Sequence, residues 1–272
     1  MKQSTRLVEV CGRKVRVSTR EGEGTPLVLC NGIGTGLEAL QGFVDALDPS
    51  IPVIRFDVPG VGGSQMPLAP YNLVMLAHHL GRLLDTLGAD EVDVLGISWG
   101  GALAQQFALQ YPRRCRRLVL VSTTSGTLMF PADPRVLRHM VTPHRHRDAG
   151  YAADVAADIY GGRMRDEPEL AQKILGQHVP MGPPAGYLLQ LLAAAGWTSL
   201  PVLPLIRQPT LVLTGSDDPI IPVVNGRLLS ALLPHAELHV FADGHLGLVT
   251  LADELAPRIA EFLREGLVGS HR

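Results

Sequence analysis

Aromatic residues are scarce in this 272-residue chain, with six Phe, five Tyr and two Trp. Lysine is scarcer still: Lys2, Lys14 and Lys173 are the only three, and arginine carries the rest of the positive charge, a bias that genome composition explains without any function. Neither sign of charge is in excess. The 24 Lys and Arg face 26 Asp and Glu, for a net charge of −2, which removes the electrostatic basis for nucleic-acid binding. The three cysteines, Cys11, Cys30 and Cys115, lack CxxC spacing and so suggest neither a disulfide framework nor a zinc site. The N-terminal stretch MKQSTRLVEVCGRKVRV is interrupted by charge every few residues, so no signal peptide is expected. The uncharged stretch 183–206 contains Pro183, Pro184, Pro201, Pro204, Gly186 and Gly196. A membrane span needs about 20 continuous apolar residues, so none is expected, and a cytoplasmic protein is. What is present is an apolar fraction of 46%, with 29 Gly and 21 Pro, which excludes disorder and coiled coil alike. The length suits one domain of up to about 250 residues or a core carrying a large insertion.

Short apolar runs alternate with helical patterns. Residues 7–10 and 15–19 resemble a hairpin around Gly12. PLVLC (26–30) and VIRFD (53–57) end in polar turns as buried strands do, with a helix expected at 37–47 between them. Leu73, Leu76, Leu80, Leu83, Leu84 and Leu87 mark an amphipathic helix over 73–87. Strands follow at 92–96, 118–122, 210–214 and 238–241, and helices at 99–111, 224–233 and 255–264. Between Gly126 and Ile206 no strand is evident. The alternation predicts an α/β fold with a mostly parallel sheet covered on both faces. Core residues are expected at 1–125 and 207–272, with 126–206 a helical cap inserted in the core.

Gly96-Ile97-Ser98-Trp99-Gly100 lies between a strand and a helix, the context in which G-x-S-x-G forms a nucleophile elbow. Such a turn strains the serine, and glycine relieves the crowding around it. It also sets Ser98 at the positive end of a helix. A serine nucleophile needs a base. His245, in the Gly-flanked loop FADGHLGLV after a strand, lies at the carboxyl edge where open α/β sheets carry reactive groups. His235 and His239 read as surface or sheet-edge residues, and His78 and His79 as part of a helix face. The acid is expected from Ser216-Asp217-Asp218-Pro219. Asp218, extended because it precedes Pro219, is favoured, while Asp217 reads as a turn-former or solvated neighbour. Two oxyanion donors are expected: the N–H of Trp99, and that of Ile33 in the Asn31–Gly34 loop. The Gly-rich loop 57–64 lacks a P-loop lysine and reads as a turn. Arg113, Arg114, Arg116 and Arg117 read as a solvated face at the end of the helix after Ser98. His139, His144, His146 and His178 have no spaced carboxylates or cysteines beside them, so no metal is expected, and no cofactor either.

The elbow, Asp57-x-x-Gly60-x-Gly62-x-Ser64, Gly215-x-x-Asp218 and Gly244-His245 resemble the α/β-hydrolase superfamily over nearly the whole chain, with the Ser98, Asp218, His245 order of that family. NGIG (31–34), FDVPGVGGS (56–64), GISWGGALAQQFA (96–108), IYGG (159–162), GWTS (196–199), IRQPTLVL (206–213), DDPIIP (217–222) and AELHVFADGHL (236–246) look like intracellular poly(3-hydroxyalkanoate) depolymerases. IYGG and GWTS discriminate best because superfamily members diverge there. The resemblance implies a serine ester hydrolase with Ser98, Asp218 and His245 as its triad. Its substrate would be a hydrophobic ester or polyester, and a storage-granule surface a possible partner. YLLQLL (187–192) and Gly247 depart from the more aromatic, bulkier family pattern, and both are expected to line an acyl pocket. Substrate contacts are expected from Met129, Tyr187, Trp197 and Leu246, and Phe130 and Met181 could join them in an apolar lid. Core packing explains most of these residues equally well. A small-molecule carboxylesterase, a carbon–carbon bond hydrolase, or a non-catalytic granule protein are the alternatives.

Overall fold

A computed structural model of the chain describes residues 3–144, 147–175 and 182–265, the side chain of Ala149 apart. His146, His178 and Met181 lie outside the described residues. Period-two alternation sets the layers. Val28, Val94, Leu118, Leu120 and Val212 pack on one face of the sheet, and Leu29, Leu95, Val119, Val121, Leu211 and Leu213 on the other. The strands are β1 (Gln3–Val10), β2 (Arg13–Arg20), β3 (Leu27–Cys30), β4 (Val53–Phe56), β5 (Val92–Ile97), β6 (Cys115–Val121), β7 (Thr210–Gly215) and β8 (Ala236–Phe241). They form a single eight-stranded sheet in the order β1-β2-β4-β3-β5-β6-β7-β8. β2 is antiparallel to β1 and β4, and every pairing from β4 to β8 is parallel. The β1–β2 hairpin turns at Cys11 (φ 51°) and Gly12 (φ 73°), the two successive positive φ values of a tight hairpin turn.

Helices α1 (Gln41–Ala46), α10 (Gly247–Thr250) and α11 (Ala252–Arg264) cover one face, and α2 (Leu73–Leu87), α3 (Trp99–Gln110) and α9 (Val223–Leu232) the other. The leucine stripe predicted over 73–87 is α2. Asn72 caps its first turn by accepting the Met75 N–H at 2.9 Å, and Gly88 ends it at φ 71°. The helix expected over 37–47 is instead a 3₁₀ turn (Leu37–Leu40) followed by α1. Side chains of β4 and of the residue after it grip its start: Asp57 Oδ1 accepts the Leu37 N–H at 2.7 Å and Arg55 Nη1 donates to the Leu37 carbonyl at 2.9 Å.

Arg113 is exposed as expected, but the rest of the arginine run is not a solvated helix end. α3 stops at Gln110, and Arg116 and Arg117 lie in β6. Arg116 forms an ion pair with Asp93, whose side chain is buried, and Arg114 donates to the carbonyls of Gly81, Ala89 and Asp90. Burying Asp93 beside β6 requires a cation there.

Between β6 and β7 the described chain runs through α4 (Pro134–Met140), α5 (Ala149–Tyr160), α6 (Gly162–Asp166), α7 (Pro168–Leu175) and α8 (Pro184–Ala194), then a 3₁₀ turn (Leu200–Leu205). Val136, Ala156, Ile159, Met164 and Ala171 form a small core of their own with Ile220 and Ile221. Among the described residues no helix is long and apolar enough to cross a membrane.

Candidate active site

Ser98 joins β5 to α3 at φ 54°, ψ −122°, a conformation a serine adopts only when its surroundings enforce it. Those surroundings are specific. The Ser98 N–H donates to the Val121 carbonyl (2.9 Å), and its own carbonyl accepts from the Gly101 N–H (2.9 Å) and the Thr123 hydroxyl (2.6 Å). The flanking glycines are required by close approach: a Cβ on Gly96 would lie 2.4 Å from the Gly100 carbonyl oxygen, and one on Gly100 2.0 Å from that of Cys30.

His245 follows β8. Its Nδ1 lies 2.8 Å from Asp218 Oδ2, and both side chains are buried. Asp218 Oδ1 accepts the N–H groups of Ile220 (2.9 Å) and Ile221 (2.8 Å), so the carboxylate is fixed before it meets the imidazole. A carboxylate only accepts, so the proton sits on Nδ1 and leaves the Nε2 lone pair free. Ser98 and His245 line one apolar cavity of about 80 Å³, together with Ile33, Leu40, Ile97, Met140, Tyr160, Ile220, Leu246 and Val249.

The Asn31–Gly34 loop packs on the elbow, with the position a Gly32 Cβ would take 3.8 Å from Ser98 Cβ. The Gly34 N–H donates to Gln190 Oε1 at 2.8 Å. The Ile33 N–H finds no acceptor among the described residues. The Trp99 N–H is the first of α3, where the helix supplies none.

IYGG (159–162) is wedged between the loops that carry Asp218 and His245. The Tyr160 carbonyl accepts the His245 N–H (2.7 Å), the Gly162 N–H donates to Asp217 Oδ2 (2.8 Å), and the Arg163 N–H donates to Asp243 Oδ1 (2.8 Å). Gly161 (φ 63°) and Gly162 (φ 47°) cannot be replaced here, because a Cβ would lie 2.1 Å from the Asp217 carbonyl oxygen and 2.0 Å from Asp243 Oδ1 respectively. Asp217 is the exposed turn residue the sequence suggested and at the same time a partner of this latch, also paired with Arg165 at 2.8 Å.

Of the candidate substrate contacts, Leu246 lines the cavity and the others do not. The Trp197 indole donates to Gln106 Oε1 (2.8 Å), and Ser199 and Thr198 bond Gln105 and the Ser125 carbonyl, so GWTS fastens the end of the 126–206 segment to its beginning and to α3. Tyr187 is buried with its hydroxyl on the Met140 carbonyl. Met129 packs on the small core around Ile159. Leu188 and Leu192 of YLLQLL are exposed, and Gly247 faces the Phe241 ring, which a Cβ would approach to 2.1 Å. Ile220 and Val249, missed as lining residues, were within reach of the sequence: they stand two residues after Asp218 and four after His245. Met140 and Tyr160 carry no such signal. The Gly-rich loop 57–64 turns its Gly63 N–H onto its own Asp57 (2.8 Å). Among the described residues no group of three His, Cys, Asp or Glu could hold a metal ion.

A serine on a strained strand–helix turn, an imidazole at the same cavity and a mostly parallel sheet define a class. A family model described as alpha/beta hydrolase fold matches residues 25–250, and the chain belongs to that family. It is 48% identical, over 96% of its length and 92% of the relative's, to a poly(3-hydroxyalkanoate) depolymerase of Ectopseudomonas oleovorans. It is 30% identical to a 2-hydroxy-6-oxo-2,4-heptadienoate hydrolase of Pseudomonas putida, over 82% of this chain and 83% of that one. Among solved structures, the enol-lactonase of Burkholderia xenovorans superposes with a TM-score of 0.81 at 26% identity, covering 96% of this chain and all of that one (100%).

Proposed function

We propose that the chain is a serine hydrolase that cleaves carboxylic ester bonds, with Ser98 as nucleophile, His245 as general base and acid, and Asp218 as the group that orients His245. The observation that carries this reading is the buried His245–Asp218 pair, 2.8 Å apart, whose imidazole shares a cavity with Ser98. Ser98 Oγ attacks the ester carbonyl carbon while His245 Nε2 takes its proton. The N–H groups of Ile33 and Trp99 hold the oxyanion. Collapse breaks the bond to the alcohol oxygen, which receives the proton from His245. Water, deprotonated by the same nitrogen, then attacks the acyl carbon; the bond to Ser98 Oγ breaks, that oxygen takes the proton back from His245, and the acid leaves.

We assign a poly(3-hydroxyalkanoate) as the substrate. The 48% identity to the depolymerase supports this, and so does the cavity, whose lining contains no lysine or arginine. An oxo-heptadienoate carries a carboxylate that such a lining leaves without a counter-ion. The segment 126–206 would act as a cap over a core of 1–125 and 207–272, and the enzyme would work in the cytoplasm at the surface of a water-insoluble polyester.

Replacing Ser98 by Ala should lower hydrolysis of a soluble aryl ester by several orders of magnitude, and near-wild-type turnover would refute the mechanism. Incubation with emulsified polyesters of differing side-chain length, with analysis of the released acids, tests the substrate. Turnover of soluble esters without any release from polymer would point to a small-molecule esterase. Failure of a fluorophosphonate to label Ser98 would point to a non-catalytic granule protein.

A further inference from the structure

Gln190 stands in the middle of the aliphatic run YLLQLL and is 1% exposed. Buried amides need partners, and those of Gln190 lie at both sides of the site. Its side-chain Oε1 accepts the Gly34 N–H at 2.8 Å, and its main-chain carbonyl accepts the Trp99 indole N–H at 2.9 Å. We propose that Gln190 is a positioning residue that selects and fixes the two oxyanion donors, an inference that rests on the serine-hydrolase reading above.

The Asn31–Gly34 loop presents successive amides. The Gly32 carbonyl accepts the Thr35 N–H (3.4 Å) and hydroxyl (2.9 Å), and Gly34 is held at φ 73°. Drawing the Gly34 N–H towards α8 fixes the peptide plane between Ile33 and Gly34 and leaves the Ile33 N–H as the amide available to a substrate oxygen. On the other side, the indole tether holds Trp99, whose own N–H is the second donor. α8 is itself tightly seated, since a Cβ on Gly186 would lie 1.8 Å from the Gly60 carbonyl oxygen. The inserted segment thus reaches the reacting oxygen without touching it. A misplacement of about 1 Å in such a donor can cost about 100-fold in rate.

The test is Gln190→Leu, which keeps the side chain's bulk and removes the acceptor. Rates on a soluble aryl ester are expressed per site titrated with a fluorophosphonate, so that unfolded chains are not counted. The expected result is a kcat lower by about 10- to 100-fold with KM changed by less than about 3-fold. Affinity for an aryl trifluoromethyl ketone, whose adduct places an oxyanion on the same donors, should fall by the same factor as kcat/KM. Trp99→Phe, which deletes the indole donor together with part of the ring, should give a smaller loss of the same kind. Gln190→Asn, one methylene shorter, should fall between wild type and Leu, and it serves should the Leu variant not fold. A per-site kcat within about 2-fold of wild type, or unchanged ketone affinity, overturns the proposal. Ser98→Ala run in parallel separates the two claims: if it abolishes hydrolysis while Gln190→Leu and Gln190→Asn do not lower kcat, the positioning role alone fails. If Ser98→Ala retains hydrolysis, the serine mechanism fails and the positioning role with it.

Discussion

Asp243 is 2% exposed and holds three donors. Oδ1 accepts the N–H groups of Arg163 at 2.8 Å and Gly244 at 2.7 Å, and Oδ2 accepts the Thr250 hydroxyl. Replacing it by Ala would leave the two backbone amides without an acceptor at a buried position. Each buried, unpaired group costs about 1–3 kcal/mol. Allowing for partial relaxation, Asp243→Ala should lose about 3 kcal/mol from a total stability of about 5–15 kcal/mol. Asp243→Asn keeps Oδ1 for both amides and turns its NH₂ towards Thr250, whose hydroxyl already has a second acceptor in the Leu246 carbonyl at 3.1 Å. It should lose about 1 kcal/mol, the difference between a charged and a neutral acceptor. Because Gly244 and His245 are the next two residues, Ala should also lower kcat by about 10-fold and Asn by less than about 3-fold. Urea denaturation and steady-state hydrolysis of an aryl ester measure both. An Ala variant within about 0.5 kcal/mol of wild type would refute the accounting of unpaired amides. An Asn variant as damaged as Ala would show that the charge, not the acceptor geometry, matters.

Asp218→Asn should lower kcat by about 10⁴-fold, because it would present the wrong partner to His245 Nδ1. Asp217→Asn should leave the chemistry within about 10-fold, since it alters only the latch to Gly162 and Arg165; equal losses would contradict the assignment. Trp197→Phe should lower stability by about 1 kcal/mol through its lost bond to Gln106, with KM for a short ester unchanged; a selective rise in KM would restore Trp197 as a substrate contact. Burial, with His78 beside it, lowers the His79 imidazole below its ordinary value, and its Nε2 has no partner among the described residues. The unfolded chain then binds a proton that the native one refuses, so stability should fall as pH drops below about 6.5. His79→Leu should flatten that fall in urea midpoints, and identical slopes for the two chains would refute the assignment.

The parts that could be read from the sequence are those whose cause is local. The 73–87 helix announces itself through its leucine spacing, the hairpin through Gly12, and the elbow through glycines on both sides of Ser98. Asp218 stood out through the following Pro219, and His245 through its place after a strand. Partners distant in the chain were not legible. Asp217 looks like any turn residue until Gly162, 55 residues away, donates to it. The same holds for Trp197, whose acceptor is 91 residues away. Arg116 read as surface because nothing near it in sequence indicates the buried Asp93. Gln190 left a clue, a lone amide in an aliphatic run, but a clue only to burial.

The segment between β6 and β7 is thus bound into the site at three places: GWTS on α3, IYGG between the loops that carry Asp218 and His245, and Gln190 on the Asn31–Gly34 loop. This limits how such an enzyme can be re-engineered. A chimaera that exchanged the segment for a relative's, to alter the range of esters accepted, would have to transplant the three clasps along with it. Without them the graft would change the roof and loosen the machinery beneath. Specificity in this scaffold is more safely altered one side chain at a time, at Met140, Ile220 or Val249, which line the cavity without fastening a catalytic loop through their side chains.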